Sequence, residues 1–176
     1  MKKIGIVMLA SLLVLVGCGG QVKFNNGKDS KESISAKQYK FNSVKIVYST
    51  VAKEKLIKYK GFKPQKLHAT VTDYFTKQGL IDASASHVLE IRVKDLFLRS
   101  TIKALLIPIS DPDKMNAVVS VKTGSGEQVL SFKVDASYSL GGTTSALAAV
   151  RTRLVFKQLS QLVSDVFTGK KRESDF

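Results

Sequence analysis

Three stretches of the chain alternate apolar and polar residues with a period of two, and this pattern restricts the fold more than any other feature. Over His87 to about Leu98, Leu89, Ile91 and Val93 fall on one side and Glu90, Arg92 and Lys94 on the other. Met115, Ala117, Val119 and Val121 keep phase over 115–123, and Leu130, Phe132, Val134, Ala136 and Tyr138 keep it over 128–138. Successive side chains of a strand point to opposite faces, so each stretch has one face for a core and one for water. Strands of an all-parallel sheet, covered on both sides, read instead as continuous apolar runs. The three stretches therefore predict a largely antiparallel sheet with one open face. Gly124-Ser125-Gly126-Glu127 between the last two reads as a β-hairpin turn. A further strand is expected over Ser43 to Ser49, where Val44, Ile46 and Tyr48 share a face.

Two segments carry helical spacing. Pro64 suits a first helical position, and Leu67, Val71, Tyr74 and Phe75 follow at intervals of three and four. Gly79 is the expected C′ residue of that helix, with Leu80 next to it reaching back to Phe75. A second helix is expected after Gly141-Gly142, capped by Thr143, Thr144 or Ser145 and ended by Gly169. Its apolar face runs from Leu147 through Leu154, Val155, Leu159 and Val163 to Val166. The order is then βαβββα. The economical packing is a two-layer α+β sandwich, a four-stranded largely antiparallel sheet with both helices on one face.

The first residues set the compartment. Lys2 and Lys3 precede an apolar run, Ile4 to Val16, of 13 residues. That is shorter than the roughly 20 residues of a membrane-spanning helix and matches the apolar core of an export signal. Leu15-Val16-Gly17-Cys18 resembles the bacterial lipobox, in which a branched apolar, a tolerant and a small residue precede an invariant cysteine. The resemblance implies cleavage before Cys18 and lipid attachment to its sulfur, with 1–17 as signal peptide. Cys18 is the one cysteine in the chain. An internal disulfide is thereby excluded, and lipidation accounts for a lone exported thiol. Residues 18–40 are polar, with Gly-Gly-Gln and an Asn-Asn-Gly-Lys-Asp-Ser run. Such a composition predicts a flexible tether, spanning roughly 25 Å as a coil. A single domain over 41–169 and a charged tail over 170–176 complete the expected organisation.

Charge is distributed unevenly. Residues 18–66 hold 12 basic and 3 acidic residues, against 14 and 11 over 67–176. Export removes nucleic acid as the natural partner, leaving anionic lipid, lipopolysaccharide and cell-wall polymers as polyanions, or an envelope protein as partner. Lys53, Lys55, Lys58, Lys60, Lys63 and Lys66 form the densest basic stretch and are the candidate polyanion contacts. A merely solvated basic segment is the alternative.

Catalytic and metal motifs are missing from the sequence. His68 and His87 have no ligand partners at zinc spacing, and Asp111-Pro112-Asp113 reads as a turn rather than a calcium site. Gly124-Ser125-Gly126 is followed by no helix and is not a phosphate loop. No metal or other cofactor is expected. Two features stand out otherwise. Ile102 to Ile109 is too apolar for an ordinary loop, and packs into the core or forms an exposed patch. Arg151, Gln158 and Asp165 recur every seven residues beside the apolar face of the last helix. They form either its polar edge or a seam against a second protein.

The lipobox, the polar tether, the helix ending Thr76-Lys77-Gln78-Gly79-Leu80, the strand Val88 to Val93 and the Gly-Ser-Gly-Glu hairpin resemble the small uncharacterised lipoproteins of bacterial envelopes. The resemblance covers residues 43–168 and carries over no catalytic residues. It implies a lipid-anchored, non-enzymatic protein acting in binding or envelope assembly; a cell-wall or lipid hydrolase is the alternative. Lipoprotein families use Asp after the cysteine for inner-membrane retention, so Gly19 implies the periplasmic face of the outer membrane. In a single-membrane bacterium the outer face of the plasma membrane takes its place.

Overall fold

A computed structural model describes residues 17–25, 29–59, 63–100, 111–139 and 148–170. The first described element is β1 (Gly17–Phe24), followed by α1 (Lys31–Ser35), β2 (Phe41–Tyr48), α2 (Thr50–Lys58) and α3 (Pro64–Lys77). Then come β3 (His87–Phe97), β4 (Asp113–Thr123), β5 (Gln128–Ser139) and the last helix, α4 (Ala148–Thr168). The five strands form one sheet in the order β1-β5-β4-β3-β2. All neighbours are antiparallel except β2 and β3, which are joined through α2 and α3 and run parallel. The mixed α+β class and the mainly antiparallel sheet agree with the alternation in the sequence. The counts differ: five strands and four helices among the described residues, where four and two were expected.

The extra strand comes from the stretch read as a tether. β1 pairs with β5 over its whole length, from Gly17 opposite Ser139 to Phe24 opposite Phe132. Its backbone groups satisfy the free edge of β5, while Val22 and Phe24 pack against the core. Two glycines permit this placement. A Cβ on Gly20 would lie 2.4 Å from Leu162 Cδ1 of α4, and one on Gly19 would lie 2.8 Å from Ser137 Oγ. Composition counts apolar residues and misses a polar strand held by its partner's backbone. The same stretch contains α1, whose Ser30 and Ser33 form a reciprocal capping box, and whose Ile34 is buried. Tyr39 then stacks with Phe41 and meets Phe167 edge-on.

Helices α3 and α4 pack against each other and over one face of the sheet. Helix α3 packs against α4 and β2. Its Leu67, Val71 and Phe75 join one core with the inward residues of the sheet, among them Val44, Leu89, Ile91, Val119, Val121, Phe132 and Val134. Residues Val155, Leu159, Val163 and Val166 of α4 close the core from above β1 and β5. The opposite face of the sheet carries Lys45, Glu90, Arg92, Lys122 and Lys133, and neither α3 nor α4 lies on it. A bulge between Val93 and Asp95 restores the phase of β3, so Leu96 and Leu98 still point inward.

The end of α3 follows the expected cap. Gly79 has φ +66°, and its N–H donates to the Thr76 carbonyl at 2.9 Å. The Leu80 N–H donates to the Phe75 carbonyl at 2.9 Å, and Leu80 is buried. These two bonds are the Schellman pattern. The last helix ends at Gly169, with φ +71°. Its proposed caps, Thr143, Thr144 and Ser145, lie outside the described residues, as does the apolar stretch Ile102 to Ile109.

Gly79→Val places a β-branched residue at positive φ, where the space is open but the backbone is strained. The expected loss is about 1 kcal/mol or more, read as a lower melting temperature of the whole chain. An unchanged melt would contradict the cap.

Candidate functional site

The register fixes which elements gather at each end of the sheet. Cys18 pairs with Tyr138, Tyr138 with Asp113, and Lys114 with Phe97. The start of β1, the end of β5, the start of β4 and the end of β3 therefore share one end. β2 runs parallel to β3 and finishes toward it, so α2 and the first turn of α3 lie there too. The hairpin Thr123–Gln128 and the ends of α3 and α4 lie at the other end. Cys18 and the predicted lysines thus occupy the same end of the fold, on opposite edges of a sheet roughly 19 Å across.

The lysines do not form one uniform patch. Lys53 and Lys58 are exposed on α2, and Lys63 and Lys66 are exposed at the start of α3. Lys55 is turned to the sheet, where its Nζ lies 2.7 Å from Asp95 Oδ1. Lys60 lies outside the described residues. Beside these lysines and the exposed Glu54, α2 presents apolar side chains to solvent: Ile57 is 84% exposed and Val51 51%. The lysine spacing was legible in the sequence; the turning outward of Ile57 was not, since a helix this short and weakly patterned has no obvious inner face.

Behind this end lies a groove of about 370 Å³ between α3 and α4, lined by Lys63, Lys66, Thr70, Asp73, Thr152 and Arg153 among others. It continues past Lys77 and Lys157. Arg153 and Lys157 were missed in the sequence because they sit 87 and 91 residues downstream of Lys66, and only helix packing brings them near it.

Beneath the same end is a buried ion cluster. Asp113 is fully buried and accepts from Arg151 Nη1 at 2.9 Å and from the Arg99 backbone N–H at 2.8 Å. Arg99 Nη2 lies 3.4 Å from its other oxygen, and Arg151 Nη2 donates to the Arg99 carbonyl at 2.9 Å. The cluster joins the end of β3, the start of β4 and the start of α4. Asp113 is therefore more than a turn residue. The line Arg151, Gln158, Asp165 also has an answer for its first two members. Arg151 enters the ion cluster, and Gln158 Nε2 donates to the Gly19 carbonyl at 3.3 Å. Both partners belong to this domain, so these two residues secure its own sheet.

On the open face, Glu90 accepts from Lys122 Nζ at 2.7 Å and from Arg92 Nη2 at 3.1 Å. The Lys122 bond and then the Arg92 bond hold its carboxyl below the usual range, against the opposing effect of partial burial. Burial pushes the Tyr48 hydroxyl up to about 12. His68 Nε2 lies 3.0 Å from the Val44 carbonyl, and His87 packs edge-on to Tyr39. Among the described residues, no three metal-ligating side chains come together. No helix among them is long and apolar enough to cross a membrane.

No protein-family model matches the chain, and no curated protein matches it either. Solved structures align with it at low identity. A minor lipoprotein from Acinetobacter baumannii aligns with TM-score 0.45 and 12% identity, over 74% of this chain and 93% of that one. A PelC dodecamer from Paraburkholderia phytofirmans aligns with TM-score 0.38 and 14% identity, over 81% of this chain and 98% of that one. Likeness of this degree assigns no chemistry to the residues described above.

Asp113→Asn leaves two buried guanidinium groups without their carboxylate. The expected loss is about 3–5 kcal/mol, measured by chemical denaturation; a loss below about 1 kcal/mol would show the cluster to be dispensable. Glu90→Gln tests the open face. Because the folded carboxyl titrates low, its ionised form stabilises the fold at neutral pH, and that contribution disappears as pH falls through the folded value. The variant should be about 1–2 kcal/mol less stable at pH 7, and the gap should close as pH falls below the usual carboxylate range. A gap that is constant across that range contradicts the assignment.

Proposed function

We propose that the chain is an envelope lipoprotein, held by lipid on Cys18, whose domain rests against the bilayer surface and works by binding or envelope assembly rather than by catalysis. The observation that carries this reading is the exposure of Ile57 and Val51 among Lys53 and Lys58, at the end of the sheet where Cys18 lies. Exposed apolar side chains close to lysines, with Glu54 the one acidic residue of the helix, suit the headgroup boundary of an anionic membrane. Basic residues near such a surface each add about 1 kcal/mol, screened beyond a Debye length. The starts of α3 and α4, the positive ends of their dipoles, face the same way.

With β1 in the sheet, the anchor is the first part of a strand and not the far end of a coil. Lipid there gives the domain little room to move away, so one end of the sheet faces the bilayer. Outer-membrane sorting is inferred from Gly19, although the closeness of Ser137 supplies an independent reason for glycine at that position.

In a bacterial host, the parent should incorporate labelled fatty acid and mature, while Cys18→Ser should stay unlabelled and uncleaved. Labelling of that variant would refute the anchor. For the surface contact, an unlipidated chain must keep β1, so residues 18–176 with Cys18→Ser are used. It should bind phosphatidylglycerol vesicles at low salt and release them at high salt. Replacing Lys53, Lys58, Lys63 and Lys66 by Gln should remove most of that binding, and Ile57→Ser should weaken it, with the melt unchanged. Equal binding by parent and lysine variant, or none by the parent, would leave the lysines as a solvated face.

A further inference from the structure

Among the described residues, α3 and α4 cover one face of the sheet, and the other face is reached only at its edge by Lys55 of α2. Alternation with the buried residues places Lys23, Lys45, Arg92, Lys114, Lys122 and Lys133 on that other face. Its carboxylates are already engaged: Glu90 by Lys122 and Arg92, Asp135 by Lys23 at 4.0 Å, and Asp95 by Lys55. Lys45, Lys114 and Lys133 form no ion pair among the described residues, so the face has cationic charge to spare.

Next to β1 this face has a depression of about 400 Å³, lined by Gly19, Gln21, Lys114, Asn116, Asp135 and Ser137. It opens there because Gly19 lacks a side chain next to Ser137. Two amides, a hydroxyl, an ammonium and a carboxylate thus converge on one shallow hollow, offering donors and acceptors side by side. On the neighbouring strand, Phe97 pairs with Lys114 of the depression and is 40% exposed. Lys133 lies two residues along β5 from Asp135 on the same face, about 7 Å away.

We propose that this depression and its surrounding lysines bind an acidic polysaccharide strand, at a site separate from the membrane-facing end. Sugar hydroxyls need closely spaced donors and acceptors, which Gln21, Asn116, Asp135 and Ser137 supply. The C–H face of a sugar ring needs an apolar plane, which Phe97 supplies. Uronate or phosphate groups on successive units meet Lys114 and Lys133. A lipid surface would call for protruding apolar side chains, and this region is concave and polar. The proposal does not rest on the lipid anchor.

The test uses the full chain purified in detergent, with polygalacturonate as acidic glycan, dextran as neutral glycan and phosphatidylglycerol vesicles as lipid surface. Titration calorimetry should show binding of polygalacturonate at least about tenfold tighter than dextran. Lys114→Gln with Asn116→Ala should weaken polygalacturonate binding about tenfold with an unchanged melt, and the four-lysine variant of α2 and α3 should stay within about threefold of the parent. Should the double variant melt lower, Lys133→Gln decides, with an expected loss of about threefold. No binding by the parent, or equal binding of dextran, overturns the proposal. So does unchanged affinity in the deciding variant, or equal losses in the two lysine sets, which would mean general charge attraction. Loss of vesicle binding in the double variant would assign the face to lipid and overturn it as well.

Discussion

A sheet of alternating strands can bury only one face, and most of the structure follows from how that face is covered. The inward residues of β2 to β5 are Val, Leu, Ile, Phe and Met, and they become a core only when the stripes of α3 and α4 come down on them. Each fully buried side chain of this size contributes about 1.5–3 kcal/mol. The two helices must therefore lie side by side over the sheet, and they do so with the same chain direction. Their N-termini come to the end of the sheet where β1 starts. The same one-sidedness leaves Lys45, Arg92, Lys114 and Lys133 in water on the other face.

Polar groups settle the details that apolar burial leaves free. A hydrophobic stripe tolerates sliding along a sheet, but a buried carboxylate between two guanidinium groups does not. Asp113 ties Arg99, just after β3, to Arg151, at the start of α4, and so fixes where α4 begins relative to β4. Seven residues on, Gln158 holds the Gly19 carbonyl of β1. The Leu162 side chain then occupies the space that Gly20 leaves. Helix α4 is thus keyed to both β4 and β1 by residues spaced two turns apart.

The two surfaces assigned a role differ in kind. The end near Cys18 is mixed, with Ile57 exposed beside lysines. The other face is mostly polar and is hollowed beside β1. An anchor at Cys18 would orient the first toward a membrane and leave the second facing sideways, free to meet polymers of the surrounding envelope.

Sequence alone determined whatever depends on near neighbours. Alternation marked β3, β4 and β5 to within a few residues, and the Pro64 and Gly79 signals marked both ends of α3. These are local because strand alternation and helix caps involve residues a few positions apart. The lysine stretch was equally plain, and so was the lipobox-like run before Cys18. Tertiary structure alone decided what depends on distant partners. β1 is a strand because β5 offers it a free edge, with Val22 and Phe24 reaching the core, and nothing in a polar composition reveals that. Asp113 is buried because Arg99 and Arg151, 14 and 38 residues away, meet over it. Gly19, Lys114, Asp135 and Ser137 share one depression because β1, distant in sequence, pairs with β5 of the β4–β5 hairpin. Side-chain chemistry is written locally, but the neighbours that give it a use are set by long-range pairing and by the burial of a single face.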